Sequence, residues 1–438
     1  MKIALSMQTE KRKAETYDIL FLGLLVYTII FYSQIGARFP LLGHLRIELL
    51  VGSIMLILIT LEFLKGQINL HESSLNILAC VFLLVTVITI PLAYYKTYAY
   101  QTFIRLFKVF TIYLMIITGI TSEKKFKIFI YIYLSMACLL FVEPFLLSLQ
   151  GKGFVYNNHM WRLAGVTGLF AHPNSLSAIT SSTFPFFYYL MLQEKSILRK
   201  LPFLLLIAIG LRVIMLTQSR TGFVGVMAFV FVIWLQSKRK LLLSIIIMIS
   251  LAIAWQLAPA ETKARFLTLQ MSAQVITSEN LSHLTAELDD YHDYGSMIAR
   301  WTLIKRSIAI FLEHPILGVG LGNFVVESFR EYNRWIPTHC LYTEVLAELG
   351  IMGFCLFICI IVKTLLNLKE TKLILKEVNL ENSFLDRMAS AVIAFLYIRL
   401  IVGFFSHSLV TNYWWLAGGL SVVMLRVARN NLPRYPKI

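Results

Sequence analysis

The sequence consists mainly of apolar runs of about 17 to 25 residues, which short polar segments separate. An α-helix needs about 20 apolar residues to cross roughly 30 Å of hydrocarbon. Hydrophobic residues make up 58% of the chain and the mean hydropathy is +0.72, which is far more apolar surface than a soluble domain could bury. Backbone polar groups inside a bilayer must be satisfied internally, so these runs are expected to be helices. The sequence therefore predicts an all-α polytopic membrane protein.

Twelve of these runs are long enough to be membrane spans. An even number of spans puts both termini on the same side, and Lys and Arg are concentrated in the segments on the N-terminal side. Because cytoplasmic loops carry the excess of Lys and Arg, both termini are predicted to be cytoplasmic. The spans are predicted near residues 17–33, 47–64, 75–92, 101–120, 127–147, 175–193, 201–217, 222–236, 241–258, 341–363, 387–406 and 411–427.

One long polar segment interrupts this pattern, at residues 259–340. It follows the ninth span and is therefore predicted to be a large helical loop on the periplasmic face. The chain is thus divided into the first nine spans at 1–258, the loop at 259–340, and the last three spans with a cytoplasmic tail at 341–438. The net charge of +16 lies beside spans, which indicates membrane lipids as partners and not nucleic acid.

Within the loop, residues 262–290 are predicted to form a surface helix. A second helix is predicted to lie with one apolar face on the bundle, since apolar residues recur at helical spacing at Trp301, Ile304, Ile308, Phe311 and Leu312. His314-Pro315 is expected to end this helix, because Pro cannot continue the hydrogen-bond ladder. Gly318, Gly320 and Gly322 then predict a tight turn with positive φ angles.

Four chemically capable residues fall on the predicted outer face: Arg162, Arg220, Arg300 and His339. Arg220 stands in a Ser-Arg-Thr-Gly turn between two spans, where a bare guanidinium is costly unless an anion meets it. Each residue also has a structural explanation, since boundary arginines often reach lipid phosphate and an isolated interfacial histidine is often merely hydrogen-bonded. The histidines at 44, 71, 159, 283 and 407 are interpreted as ordinary polar residues.

Together the four residues fit a reaction on a lipid-linked pyrophosphate. Guanidinium groups bind phosphate oxygens with two hydrogen bonds, and a histidine near neutral pH suits the role of base for an acceptor hydroxyl. No metal or cofactor is expected; the residues Asp289, Asp290, His292 and Asp293 resemble a metal cluster but are interpreted as a solvated surface.

Two further residues are candidates for sugar or orienting contacts, Asn174 and Glu344. Asn174 follows Pro173 at a helix entry, where Asn174 or Ser175 is predicted to be the N-cap. Glu344 and Glu348 lie one helical turn apart, and could orient His339, bind sugar hydroxyls or simply be hydrated.

Several motifs in order resemble the O-antigen ligase/polymerase family of bacterial envelope glycosyltransferases, over about residues 160–405. They are Arg162 with Pro173-Asn174, SRTG at 219–222, Arg300, HPILGVGLGNF at 314–324 and THCLYTEVLAELGIMG at 338–353. The resemblance implies a GT-C-like membrane fold and a metal-independent, inverting transfer of a glycan from undecaprenyl pyrophosphate to an acceptor hydroxyl in the bacterial inner membrane.

The same resemblance implies roles for particular residues. His339 would be the base, Arg162 and Arg220 would bind the pyrophosphate, and Arg300 is a further candidate for that binding. The family often has Asn after the histidine, whereas this chain has Cys340, which removes an amide donor beside the base.

Several functions remain open at this point. A ligase would use a lipid A-core acceptor and a polymerase a growing glycan, and the motifs fit both. A transporter or flippase for lipid-linked glycans is the alternative of another class, because Arg105, Lys108, Arg212 and Arg399 lie within predicted spans. Transporters usually show internal repeats and broken helices at the bilayer midplane, which the sequence does not show clearly. A purely structural scaffold does not account for the outward Arg and His residues.

Overall fold

The structure is a computed structural model that describes residues 2–68, 70–157, 160–237, 239–257, 292–333 and 335–432. Helices account for nearly all of the regular structure in these ranges. The helices before the long loop are α1 Lys2–Ser33, α2 Ile35–Arg38, α3 Pro40–His44, α4 Ile47–Leu64, α5 Ser74–Leu92, α6 Lys96–Gly119, α7 Glu123–Leu149, α8 Pro173–Gln193, α9 Ile197–Thr217, α10 Arg220–Gln236 and α11 Lys240–Leu257. They are followed by α12 His292–Glu313, α13 Asn323–Tyr332, α14 Leu341–Glu377, α15 Phe384–Gly403 and α16 Asn412–Asn430. An antiparallel hairpin, β1 Phe154–Asn157 and β2 Met160–Leu163, precedes α8.

Each of the twelve predicted spans coincides with a helix, namely α1, α4 to α11 and α14 to α16. Within the described ranges, seven helices are long and apolar enough to cross a membrane by length and composition: α1, α4, α5, α6, α7, α9 and α14. These helices confirm the prediction of an all-α polytopic membrane protein. The number of crossings and their orientation stay predictions.

The core of the bundle is formed around α16 and α8. Nearly every residue of α16 is buried, and it packs against α6, α14 and α15, while α8 packs against α9, α10 and α15. The α8 sequence is rich in Ser and Thr, whose hydroxyls donate to backbone carbonyls one turn earlier, as Thr180 does to Leu176 at 2.7 Å. These polar residues can therefore be buried inside the bundle without unsatisfied hydroxyls.

Small residues let α10 approach α8 closely. A Cβ added at Gly222 would lie 2.6 Å from the Ser177 Cβ, and one at Gly225 would lie 2.8 Å from the Ser181 Oγ. Small residues at a helix interface allow such close backbone approach in membrane proteins. As a result, the first turn of α10, which carries Arg220, lies beside the first turns of α8.

The helix predicted to end before His314-Pro315 does so, because α12 ends at Glu313. The prediction of its buried face was wrong. Trp301, Ile308 and Leu312 are exposed, and the buried side carries Leu303, Ser307 and Ile310. The physical reason is that the following segment folds back over that side, so that Val319 and Phe324 pack against Leu303 and Ile310. The predicted helix at 262–290 lies outside the described residues.

The glycine turn predicted at 318–322 is confirmed, with φ of 65°, 95° and 78° at Gly318, Gly320 and Gly322. It lies on a break in α14, where Gly350 has φ 61° and ψ −163°. Backbone hydrogen bonds join the segment of the glycine turn to α14 at the break. Gly320 N donates to Glu348 O at 2.9 Å, and Ile351 N donates to Pro315 O at 2.8 Å. The turn and the outer part of α14 therefore form one joined structure.

We expect Gly318→Ala to destabilise the protein more than the matched substitution Gly66→Ala. A Cβ at Gly318 would lie 2.4 Å from the backbone carbonyl carbon of Glu348, whereas one at Gly66, with a similar φ of 69°, would meet nothing within 4 Å. The left-handed conformation alone costs an L-residue about 1 to 2 kcal/mol, and forced overpacking adds about 1 to 3 kcal/mol. Thermal unfolding of both variants in one detergent checks this, and equal midpoints for the two would contradict it.

Candidate functional site

The candidate base, His339, lies just before α14 in a backbone conformation that is unusual for a residue other than glycine. Its φ is 55°, in the left-handed region. Its half-buried ring meets the ring of His407 edge to face, with the centroids 5.5 Å apart. His407 lies in the connection between α15 and α16. Two histidines from distant parts of the chain are therefore in contact at one end of the bundle.

Charge interactions bring three more residues into this cluster. The pKa of His339 is lowered to about 4, first because burial disfavours its charged form, and then because His407, Arg300 and His172 add positive charge nearby. Burial and the Arg162 guanidinium lower the pKa of His172. The pKa of His407 is lowered by loss of water around its ring and by His172. The imidazole of His339 is therefore neutral near pH 7, as a base must be.

His172 and His407 are residues that the sequence analysis did not select as functional. Both rings are partly surrounded by protein yet accessible from outside, so the cluster is open to a substrate. Their positions carried a usable signal, because each directly adjoins the outer end of a predicted span. His339 has the same kind of position, and in its case a sequence motif added to the signal.

Arg162 holds three elements together. It lies on β2 with its side chain buried; its Nε donates to the carbonyl of Thr217 at 2.9 Å, and its Nη2 donates to Asn174 Oδ1 at 2.8 Å. These bonds tie the hairpin to the end of α9 and the start of α8. Arg162 therefore has a clear structural role, and Asn174 acts as its partner.

The predicted N-cap of α8 was wrong by two or three residues. The N-cap is His172, whose Nδ1 accepts a hydrogen bond from the Asn174 backbone N–H at 3.1 Å. The reason is that Pro173 takes the first helical position, where its missing N–H and fixed φ fit best. Since Nδ1 accepts, the proton of a neutral His172 is on Nε2.

Arg220 is the first residue of α10, as expected for a turn with almost no loop. Two residues, Gln218 and Ser219, connect α9 to α10, and Gln218 adopts a φ of 49°. The Ser219 Oγ caps α10 by accepting from Gly222 N at 3.3 Å. The partly buried Arg220 thus lies three residues from Thr217, whose carbonyl binds Arg162. Arg300, on α12, is partly exposed and acts on His339 through its charge.

Glu344 supports the loop that carries His407. Its Oε2 accepts from the backbone N–H groups of Ser408 at 3.0 Å and Leu409 at 3.3 Å. Glu348 acts in the same way on the glycine turn, because its Oε2 accepts from Gly322 N at 2.7 Å. Both carboxylates are buried. The two residues of this pair therefore fix two backbone segments, one that precedes α14 in the sequence and one that follows it.

Cys340 is the N-cap of α14, and its side chain makes no capping hydrogen bond. It is buried, and its backbone carbonyl accepts from Thr338 Oγ1 at 3.0 Å. In the part of the chain that the structure describes, no group of three or more His, Cys, Asp or Glu residues could hold a metal ion. Asp289 and Asp290 lie outside the described residues, and the side chains of His292 and Asp293 are not described.

Comparison with known proteins gives two matches. Residues 202–358 match the family model described as O-antigen ligase, a segment that runs from α9 into α14 and includes Arg220, Arg300, His339 and Glu344. A protein of Rickettsia conorii, provisionally named a polysaccharide ligase, is 28% identical to this chain over 136 residues. The aligned residues make up 28% of this chain and 29% of that protein. The match thus spans less than a third of the relative's length. Residues 202–358 of this chain are therefore similar to the O-antigen ligase family.

Proposed function

We propose that this protein transfers a glycan from undecaprenyl pyrophosphate to an acceptor hydroxyl, as an O-antigen or related surface-polysaccharide ligase. The observation that carries the proposal is the neutral imidazole of His339 beside the Arg300 charge, at the end of the bundle where Arg162 and Arg220 also lie. Such a site combines a proton acceptor with fixed positive charge, which are the two requirements of displacement at a sugar pyrophosphate.

The reaction is a single displacement. His339 takes the proton of the acceptor hydroxyl as its oxygen attacks the anomeric carbon. The bond from that carbon to the pyrophosphate oxygen breaks, and undecaprenyl pyrophosphate leaves with the electron pair. Arg220 and Arg300 stabilise the charge that develops on it, while Arg162 positions the hairpin and the start of α8. Attack from the opposite side inverts the anomeric carbon, and the guanidinium groups take the part that a metal ion would otherwise play.

The proposal includes a location, the bacterial inner membrane with both termini in the cytoplasm and the site on the periplasmic face. Support comes from the opposite end of the bundle, where basic residues at the ends of helices form ion pairs. Lys125 pairs with Asp18 at 2.7 Å, and Arg426 pairs with Glu72 at 2.7 Å. This basic end fits the cytoplasmic side.

The pH dependence of glycan transfer should follow the protonation of His339. We expect kcat/KM to be constant near neutral pH and to fall as the pH drops through about 4, because protonation removes the base in the free enzyme. Bound pyrophosphate adds negative charge, so the acid limb of kcat should lie at higher pH than that of kcat/KM. In His407→Asn, one source of positive charge is gone, and the acid limb of kcat/KM should move to higher pH. If the acid limb of kcat/KM lies at the same pH in His407→Asn and in the wild type, the charge of His407 does not influence His339.

Reconstitution tests the function as a whole. Proteoliposomes with the full chain, undecaprenyl-pyrophosphate-linked glycan and a lipid A-core acceptor should form glycosylated acceptor and release undecaprenyl pyrophosphate, with a metal chelator present. Product formation with a growing glycan as the acceptor, and not with lipid A-core, would indicate a repeat-unit polymerase. Movement of the lipid-linked glycan across the bilayer without a new glycosidic bond would overturn the proposal in favour of a flippase.

A further inference from the structure

A cavity of about 510 Å³ lies between α1, α4 and α6. Three charged side chains line it, Arg46, Glu48 and Lys108. The rest of the lining is mostly apolar or backbone, and includes Phe31, Leu42 and Leu49. None of these residues belongs to the candidate site around His339. A cavity with two cations and apolar walls inside a membrane protein needs an explanation of its own.

Lys108 is the residue that most requires a ligand. It lies near the middle of α6, a helix that is apolar enough to span a membrane, and its side chain is exposed to the cavity. It interacts electrostatically with Glu48. Within the described part of the chain, it makes neither a hydrogen bond nor an ion pair with another residue. An ammonium group at this depth is costly, and such residues mark the paths or binding sites of charged ligands.

The outer wall of the cavity is a strained segment between α1 and α4. Gln34 and Arg46, at its two ends, have φ angles of 51° and 47°, in the left-handed region. The segment is folded tightly between them, since a Cβ at Gly43 would lie 2.4 Å from the carbonyl oxygen of Gly36. Backbone strain of this kind persists where the surrounding structure enforces it, often at binding sites. Here it holds Arg46 at the cavity.

The same segment presents apolar side chains to the surroundings. Phe39, Leu41 and Leu45 are 56%, 72% and 60% exposed. Arg38 fixes the segment to α7, because its Nη1 donates to Glu143 Oε1 at 2.8 Å. An exposed apolar segment at the end of two spans is suited to the boundary between lipid headgroups and acyl chains. The cavity behind it is therefore within reach of a lipid headgroup.

We propose that this cavity binds the phosphate headgroup of a membrane lipid, with Arg46 and Lys108 facing the phosphate and the lipid chain lying along Leu42 and Leu49. The cavity volume suits a headgroup and not a whole lipid. With Glu48 ionised, the three charged side chains of the cavity carry a net charge of +1. Glu48 thus offsets part of the positive charge when the cavity is empty, and it weakens anion binding. Gly168, at the cavity edge, belongs to the segment that leads to His172, so a lipid held here lies close to the candidate site.

Lipid binding to the purified full chain tests this proposal. Native mass spectrometry would compare phosphatidylglycerol, undecaprenyl phosphate and phosphatidylcholine as probes. We expect Arg46→Gln combined with Lys108→Gln to bind at least one of the two anionic lipids about fivefold more weakly or worse. Glu48→Gln should bind the same lipid more tightly, because it removes the repelling charge. Loss for undecaprenyl phosphate alone indicates the polyprenyl carrier as ligand, and equal loss for phosphatidylglycerol indicates the bulk bilayer.

Arg212→Gln is the matched control, since Arg212 is an exposed arginine inside a span but outside the cavity. Its lipid binding should equal that of the wild type. Unchanged binding in the double variant, equal loss in Arg212→Gln, or weaker binding in Glu48→Gln would overturn the proposal. Glu48→Gln keeps the test decisive if the double variant fails to fold. The measurement does not use glycan transfer, so its failure is separate from failure of the proposed function.

Discussion

His339→Asn should abolish glycan transfer while the protein keeps its fold. Removing a general base typically lowers the rate by about 10² to 10⁴-fold. Asn is the better choice than Ala here, because the residue has a φ of 55° and Asn tolerates this conformation well. The substitution therefore removes the base and leaves the backbone in place. Initial rates in proteoliposomes measure the loss.

The control is His44→Asn, which makes the same chemical change at an exposed residue of α3. It should transfer glycan at the wild-type rate. Both variants should unfold within a few degrees of the wild type in the same detergent. If His339→Asn retains more than about a tenth of the wild-type rate, the residue is not the base.

Arg220→Lys should lower kcat/KM for the glycan donor by about 10 to 100-fold. A lysine keeps the charge but lacks the two parallel N–H groups that bind phosphate oxygens together, and hydrogen bonds to charged groups contribute about 1.5 to 3 kcal/mol each. The ammonium of a lysine is also a point charge that does not reproduce the guanidinium geometry. Donor titration at saturating acceptor would measure the change.

Two comparisons separate binding from folding in this prediction. Arg212→Lys, at an exposed position on α9, should behave as wild type. Arg162→Lys should lower the midpoint of thermal unfolding, because Arg162 Nε and Nη2 bond to Thr217 O and Asn174 Oδ1 in the interior. Arg220→Lys should leave that midpoint nearly unchanged. Wild-type donor kinetics in Arg220→Lys would remove Arg220 from the pyrophosphate site.

The parts of the fold that follow from local chemistry could be predicted from the sequence. Hydropathy located the helices, Pro315 ended α12, and the glycines at 318–322 formed the turn with positive φ. In each case the cause lies within a few residues of the effect. The N-cap at His172 and the buried face of α12 were not predicted correctly. The first depends on a competition between adjacent positions, and the second on which distant segment folds over the helix.

The candidate site could be predicted only in part, for a related reason. His339 and the arginines stood out through motifs, but the contact between His339 and His407 joins residues on opposite sides of α14 and α15 in the sequence. Only packing brings them together. The role of Glu344 was equally hidden, because its partners are backbone N–H groups, which every residue except proline carries. No side-chain pattern records such a bond.

The break at Gly350 has a mechanical consequence for a protein that works in bilayers of varying thickness. A continuous helix would transmit any change of tilt from the membrane to His339, which lies just before the first residue of the helix. Tilt is the usual response of a span to a mismatch with the hydrocarbon layer. Here Leu341–Leu349 is braced by the glycine turn and the loop of His407, and Ile351 and Met352 are bonded to the same segment, so bending of α14 begins beyond Met352. The inner part of α14 can therefore adjust to the membrane while His339 and His407 keep their spacing.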